Sequence, residues 1–307
     1  MAGPKLLAVH TSSSNKAAMN GMAWSRCLCL VLSLSLLTFV SLLTVFSAAR
    51  ASTAAYQAAK LLTTSGAATT AAAAAADTTG LPRHVFDALV QYAAAAGNTT
   101  GCMPEHDVRA IAAVLRRRSP CNLLVFGLGA ETPLWRALNH GGRTVFLDEN
   151  PYYVAHLEGK HPGLEAYDVA YATAVRELPD LLDAARAARA AECRPVQNLL
   201  FSECRLAIND LPNQLYDVAW DVILVDGPRG MSAIYSAAVM ARTKGEETEV
   251  LVHDYEREVE RACGREFLCD ENKVAATSTP SLAHFLVRGG AAANREAFCG
   301  PAAKKSN

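Results

Sequence analysis

Residues 122–135 read Asn-Leu-Leu-Val-Phe-Gly-Leu-Gly-Ala-Glu-Thr-Pro-Leu-Trp. Leu123 to Phe126 is an unbroken apolar run, as in a strand buried on both faces. Gly127 and Gly129 follow at its carboxyl end. Thr132 suits an N-cap and Pro133 a first helical turn. The stretch therefore predicts strand, glycine loop and helix, with the loop at the carboxyl edge of a doubly wound sheet. A second strand, Thr144 to Leu147, ends in Asp148 and Glu149. Asp148 lies 19 residues beyond Gly129, a separation that sets a carboxylate beside a ribose.

The nucleoside is narrowed by what the loop lacks. A pyrophosphate cradle wants Gly-x-Gly-x-x-Gly, and the third position here is Thr132. S-adenosylmethionine carries no phosphate and needs only close backbone approach and an acid for the ribose. Gly127, Gly129, Glu131 and Asp148 are the cofactor-binding candidates for that donor.

Two more buried strands end in acids. Trp220 to Val225 runs into Asp226-Gly227-Pro228, and Glu249 to Val252 runs into His253-Asp254. Parallel strand ends converge on one edge, so Asp226, His253 and Asp254 are the catalytic candidates. Asp226 can accept a sugar hydroxyl proton, or hold a divalent cation with Asp254. A divalent metal is thus admitted as a second cofactor, with no metal ligand set assigned. His253 can act as a base or orient a neighbour. Asp254 can equally cap a helix over Tyr255 to Cys263.

The intervening segments continue the alternation. Helices are expected from Val85, from Pro104 to Arg118, from Arg176 to Ala191 and from Met231 to Arg242. Val196 to Phe201 reads as a strand. Arg116 to Arg118 reads as a solvated helix end. The class is α/β, Rossmann-like, with a mostly parallel sheet.

Before this domain, Cys27 to Ala49 forms 23 residues without a charge, long enough to cross a ~30 Å hydrocarbon core. A cleaved signal peptide is the alternative, disfavoured by the length of the apolar run. The flanking lysines and arginine place the preceding tail in the cytosol. The expected layout is a cytosolic tail over 1–26, a signal anchor over 27–49, an Ala/Thr-rich stem over 50–81, a luminal domain over 82–289 and a loose tail over 290–307. Asn98-Thr99-Thr100 is a glycosylation triplet. The net charge of −1 argues against a nucleic-acid partner. Outside the apolar segment there are seven cysteines, an odd number, so at least one lacks an intrachain partner. Cys193–Cys204 is the expected disulfide, and Cys121 a small buried apolar residue.

The strings SPCNLLVFGLG, LNHGGRTVFLDEN, WDVILVDGPRG, SAIYSAAVMAR and VHDYEREVERACGREFLC resemble one plant polysaccharide-biosynthesis family over roughly residues 82–288. That family comprises glucuronoxylan 4-O-methyltransferases and irregular-xylem-fifteen-like proteins. DENPYY, ECRPVQNLLFSEC and VDGPRG resemble the latter branch. The resemblance implies a single-pass type II Golgi membrane protein of xylan synthesis in secondary walls. Its implied partners are glucuronoxylan, other Golgi xylan-synthesis proteins and the membrane. It implies an S-adenosylmethionine-dependent methyltransferase fold, with Gly127, Gly129 and Asp148 at the donor and Asp226 near the acceptor. It leaves open an active 4-O-methyltransferase or a non-catalytic accessory. One departure stands out: a family loop between the PRG and AIY strings is missing, so that Gly230 joins Met231 directly.

Overall fold

Six strands form one sheet in the order β3-β2-β1-β4-β5-β6. They are β1 (Asn122–Phe126), β2 (Arg143–Asp148), β3 (Glu165–Asp168), β4 (Val222–Val225), β5 (Glu247–Val252) and β6 (Ala283–Arg288). The first five run parallel and β6 is antiparallel to β5. The order is that of a doubly wound Rossmann sheet with its last strand reversed. The computed structural model describes residues 80–97, 102–227 and 230–300, all within the unit Ala76–Asn307.

The helices are α1 (Arg83–Ala96), α2 (Glu105–Arg118), α3 (Thr132–Leu138), α4 (Pro151–Lys160), α5 (Leu178–Ala187), α6 (Gly230–Thr243) and α7 (Glu258–Cys263). Strand alternation divides the core in two. Leu124, Phe126, Val145, Leu147, Ile223 and Val225 face α5, α6 and α7, while Leu123, Val125, Phe146, Val222 and Leu224 face α1 to α4. Helix α6 is buried from Gly230 to Arg242. Its run of Ala and Ser keeps it thin enough to lie against the sheet under the 188–217 insertion.

Register decides where the site falls. Phe126 pairs with Leu147 and Val225, and Val225 with Val252. One residue further along each strand stand Gly127, Asp148, Asp226 and His253, side by side at the carboxyl edge.

Several expectations are corrected. Val196 to Phe201 is not a strand. Pro195 precedes it, the Cys193–Cys204 disulfide closes the segment, and Asn198 caps a 3-10 turn over Leu199–Phe201. Arg117 stays half exposed, but it and Arg118 are not merely solvated. They reach Glu249 at 3.0 and 2.7 Å and clamp α2 to the start of β5. Burial works against the Glu249 charge, but His284 and Arg118 overcome it and hold the carboxyl at about 2. The C-terminal segment is tied down as far as Cys299. Phe298 is buried against Phe267 and Tyr235, with ring centroids 5.1 and 5.7 Å away. A second disulfide joins Cys269 to Cys299, and the buried Arg242 donates to the Phe298 carbonyl at 3.0 Å. Cys102, Cys121 and Cys263 are free, and burial pushes the Cys121 thiol up to about 12.

The expected membrane anchor is also corrected. Among the described residues no helix is long and apolar enough to cross a membrane. The longest, α1, α2 and α6, have 14 residues, about 21 Å at ~1.5 Å per residue. The described residues therefore give no support to a spanning helix preceding the sheet, the type II topology, the Golgi-membrane location or the membrane as a partner. The 27–49 segment, the tail before it, the stem up to residue 79 and Asn98 lie outside the described residues.

Because Phe298 is core, Phe298→Ala should cost about 3–5 kcal/mol of unfolding free energy in a urea titration. A loss below ~0.5 kcal/mol, as for a surface position, would mean that the segment is loose after all.

Candidate active site

Gly127 and Gly129 serve different needs. Gly127 has φ +113°, and a Cβ there would run into the Asp226 carbonyl. Its glycine is required by the close passage of the β1 and β4 ends. A Cβ on Gly129 would meet only Glu131 Oε2, at 3.5 Å. Among the described residues nothing demands glycine at that position, and the space over it is open. Thr132 is the first residue of α3, and its hydroxyl accepts from Gly129 N at 2.9 Å. It closes the loop instead of capping the helix.

Asp148 leaves β2 beside this loop. Its carboxylate accepts from Leu128 N at 3.0 Å and from Asn150 N at 2.9 Å. Asn150 in turn caps α4 through Tyr152 N and Tyr153 N. Glu131 accepts from Met103 N at 2.7 Å, tying the segment before α2 to the glycine loop.

A cavity of about 290 Å³ opens between these elements, walled by Cys102, Met103, Leu128, Gly129, Glu131, Asp226, His253 and Asp254. Of the seven residues singled out from sequence, five line it. Gly127 lies beneath it, and Asp148 joins it through Leu128.

At its floor His253 stands between carboxylates. Its Nδ1 is 2.9 Å from Asp226 Oδ1 and 3.8 Å from Asp254 Oδ1. Its Nε2 lies 3.3 Å from Asp107 Oδ2, an ion-pair approach without hydrogen-bond alignment. Burial alone would lower the imidazole pKa, but Asp107 and Asp226 overcome it and push it up to about 10. That shift favours the imidazolium, the form that donates to a neighbour. Its Nδ1 also takes the place between Asp226 and Asp254 where a shared cation would sit. Burial pushes the Asp226 carboxyl up against the pull of His253, and Glu131 and Asp254 add to the rise.

Asp254 does not cap a helix. Its φ is +55°, a left-handed conformation that a short polar side chain tolerates. Its carbonyl accepts from Arg257 N at 2.9 Å, and α7 starts only at Glu258 with Arg257 before it. The freed carboxylate pairs with Arg257 at 2.8 Å and faces the cavity.

Asp107 is not among the residues that the sequence motifs single out. It has no exposure to solvent. Thr279 Oγ1 donates to one carboxylate oxygen, and Ser281 Oγ donates to the other at 2.6 Å. Burial would raise its pKa, but His253, Ser281 and Thr279 keep it below the usual carboxylate range. The available signal is an acid on the apolar stripe of α2, in line with Ile111, Val114 and Leu115. Elsewhere, Cys269, Glu271 and Cys299 cluster as metal ligands would, but both sulfurs are consumed in a disulfide.

A Rossmann-like sheet with an acid-lined crevice at its carboxyl edge is the class that fold and site define. The sequence profile of the IRX15/IRX15L/GXM family matches residues 106–285, and the chain belongs to that family. It is 53% identical to Protein IRX15-LIKE of Arabidopsis thaliana over 67% of this chain and 68% of that protein. Protein IRREGULAR XYLEM 15 of the same plant is 52% identical over 68% of each. Glucuronoxylan 4-O-methyltransferase 3, also from Arabidopsis thaliana, is 38% identical over 72% of this chain and 75% of that protein. Solved structures that align with this chain do so weakly. One is the TehB-like enzyme of Corynebacterium glutamicum, 13% identical over 66% of this chain and 95% of that chain, with a TM-score of 0.32. This is a distant likeness of fold alone.

The His253 shift sets a pH dependence. Its folded pKa of about 10 exceeds the ordinary 6.5. Its stabilisation is therefore complete below about 6.5 and is lost as pH rises towards about 10. Unfolding free energy should fall by roughly 1 kcal/mol per unit between pH 7 and 9, and His253→Gln should flatten that slope. The Cys121 and Cys263 thiols, pushed from 9.0 to about 12, add their own fall as pH nears 9 and above, equally in both proteins. Equal slopes in both proteins would refute the imidazolium.

Proposed function

We propose that this chain is a methyltransferase-like protein of xylan biosynthesis that binds S-adenosylmethionine at the glycine turn and acts on a hydroxyl of glucuronoxylan. The observation that carries the reading is the open space over Gly129, faced by Glu131, Asp226 and Asp254, with Asp148 anchored one residue away on Leu128. A glycine that no protein contact requires suits a backbone approached by a ligand. An acid-lined pocket suits a cationic sulfonium. Asp148 keeps lone pairs beyond its two backbone bonds, which fit ribose hydroxyls.

The donor, when bound, supplies a methyl group already activated on sulfur. The chain's own residues bind and align, and that accounts for most of the work in such a transfer. Asp226, made more basic by burial, accepts the proton of the sugar hydroxyl. His253 donates to Asp226 and holds it in place. Glu131 fixes the loop that forms the roof.

A second reading is a non-catalytic accessory that retains the fold. It is favoured by the two relatives above 50% identity, whose names state no activity. The direct Gly230–Met231 junction favours it too, because it forms the buried first turn of α6 and leaves no loop there to shape an acceptor pocket.

Isothermal titration of the full chain with S-adenosylmethionine tests the donor site. Binding is expected, and Asp148→Ala should weaken it at least about ten-fold, a loss of ~1.4 kcal/mol. Asp226→Asn should weaken binding less than Asp148→Ala does, while lowering transfer by about 10²–10⁴-fold. No heat at millimolar donor, or an unchanged affinity in Asp148→Ala, would end this assignment.

A further inference from the structure

We propose that Asp107 is a positioning residue of the site: its buried carboxylate, below the cavity, fixes the His253 ring so that Nδ1–H stays on Asp226. Every part of the contact is placed by a different element. Asp107 comes from the first turn of α2, His253 from the end of β5 and Asp226 from the end of β4. The carboxylate itself is held by Thr279 and Ser281 from the segment before β6. His106 joins the cluster from α2, with Nε2 3.0 Å from Ser281 Oγ and 3.5 Å from Asp107 Oδ1.

A carboxylate with no exposure serves poorly as glue between elements, since its desolvation offsets much of the attraction it gains. Two hydroxyl donors would suffice to pin the 279–281 segment to a neutral acceptor. What a neutral acceptor does not supply is a negative charge behind the imidazole. An imidazole between two carboxylates keeps hydrogens on both nitrogens: Nδ1–H points to Asp226, and Nε2–H faces the Asp107 charge at 3.3 Å without hydrogen-bond alignment. With Asp107 behind it, Nδ1 donates forward to one Asp226 oxygen, and no described residue donates to the other, which is left for a hydroxyl. Among the described residues the other charged groups around the ring do not compete for that role. Asp254 stands 3.8 Å off on the Nδ1 side and is bound by Arg257, and Glu131 is engaged by Met103 N.

The consequence for catalysis rests on Asp226 as proton acceptor, but the placement of His253 does not, and the experiment reads the two separately. In nitrogen-15 NMR of the full chain at pH 8, His253 is expected to show both ring N–H groups, slow to exchange with water. In Asp107→Asn, which keeps an acceptor for the hydroxyls, the His253 titration midpoint should drop by at least one pH unit. Donor affinity should stay unchanged, and any pH–rate profile should narrow on its alkaline side. A neutral His253 in the wild-type chain at pH 8 overturns the proposal even if Asp107→Asn fails to fold. So does an unmoved midpoint in a folded Asp107→Asn. A chain that binds no donor but shows the expected ring signals and shift leaves Asp107 in place and removes only the methyl-transfer reading.

Discussion

Three side chains in a row, Asp107, His253 and Asp226, set the conditions for the whole carboxyl edge of the sheet. The outer two are acids taken largely out of water, and the central ring is charged because of them. Removing one partner of such a row strands a buried charge, at a cost of about 3–5 kcal/mol. The row joins residues from elements that share no secondary structure. The start of α2, the turns after β4 and β5 and the 279–281 segment all meet at it. Tyr255 N donates to the Ser281 carbonyl at 2.9 Å, just beyond His253 and Asp254, and ties the turn after β5 to that last segment.

The sheet makes the row possible. Parallel pairing of β2, β1, β4 and β5 in matched register brings four successive strand ends level. The βα turns then carry their polar residues out of the core at one place, as doubly wound sheets do. Gly127 lets the first of these turns pass against the backbone of Asp226, and Gly129 leaves a gap above it. One glycine is required by packing and the other faces open space, which is why only the second points to a ligand. At the opposite end of the sheet, Arg117, Arg118 and His284 gather on Glu249. That cluster locks α2 against the sheet, so the position of Asp107 at the other end of α2 is set by two ionic anchors.

Much of this is legible in the residues alone. Continuous apolar strands ending in acids imply the parallel sheet and the convergence of Gly129, Asp226, His253 and Asp254 on one crevice. The short disulfide Cys193–Cys204 is legible because the two cysteines stand only 11 residues apart. What stays hidden depends on contacts between residues far apart in sequence. Asp107 looks like an ordinary first-turn acid until the fold brings His253 to it across 146 positions. Phe298 and Cys299 look like tail residues because their partners, Phe267, Tyr235 and Cys269, lie on other elements. Val196 to Phe201 has strand composition, but the disulfide and the Asn198 cap impose a tighter path. Asp254 has a capping residue's identity, yet its left-handed backbone delays the helix by a turn and turns the carboxylate to the cavity.

The account stands or falls on whether this crevice moves a methyl group. The most direct measurement incubates the full chain with S-adenosylmethionine labelled in its methyl carbon and unmethylated glucuronoxylan, then counts label in the polymer. The account predicts label on the polysaccharide that the wild-type chain incorporates and Asp226→Asn does not. Polymer that stays unlabelled while the donor is bound would contradict it and leave a protein that holds the donor site without using it.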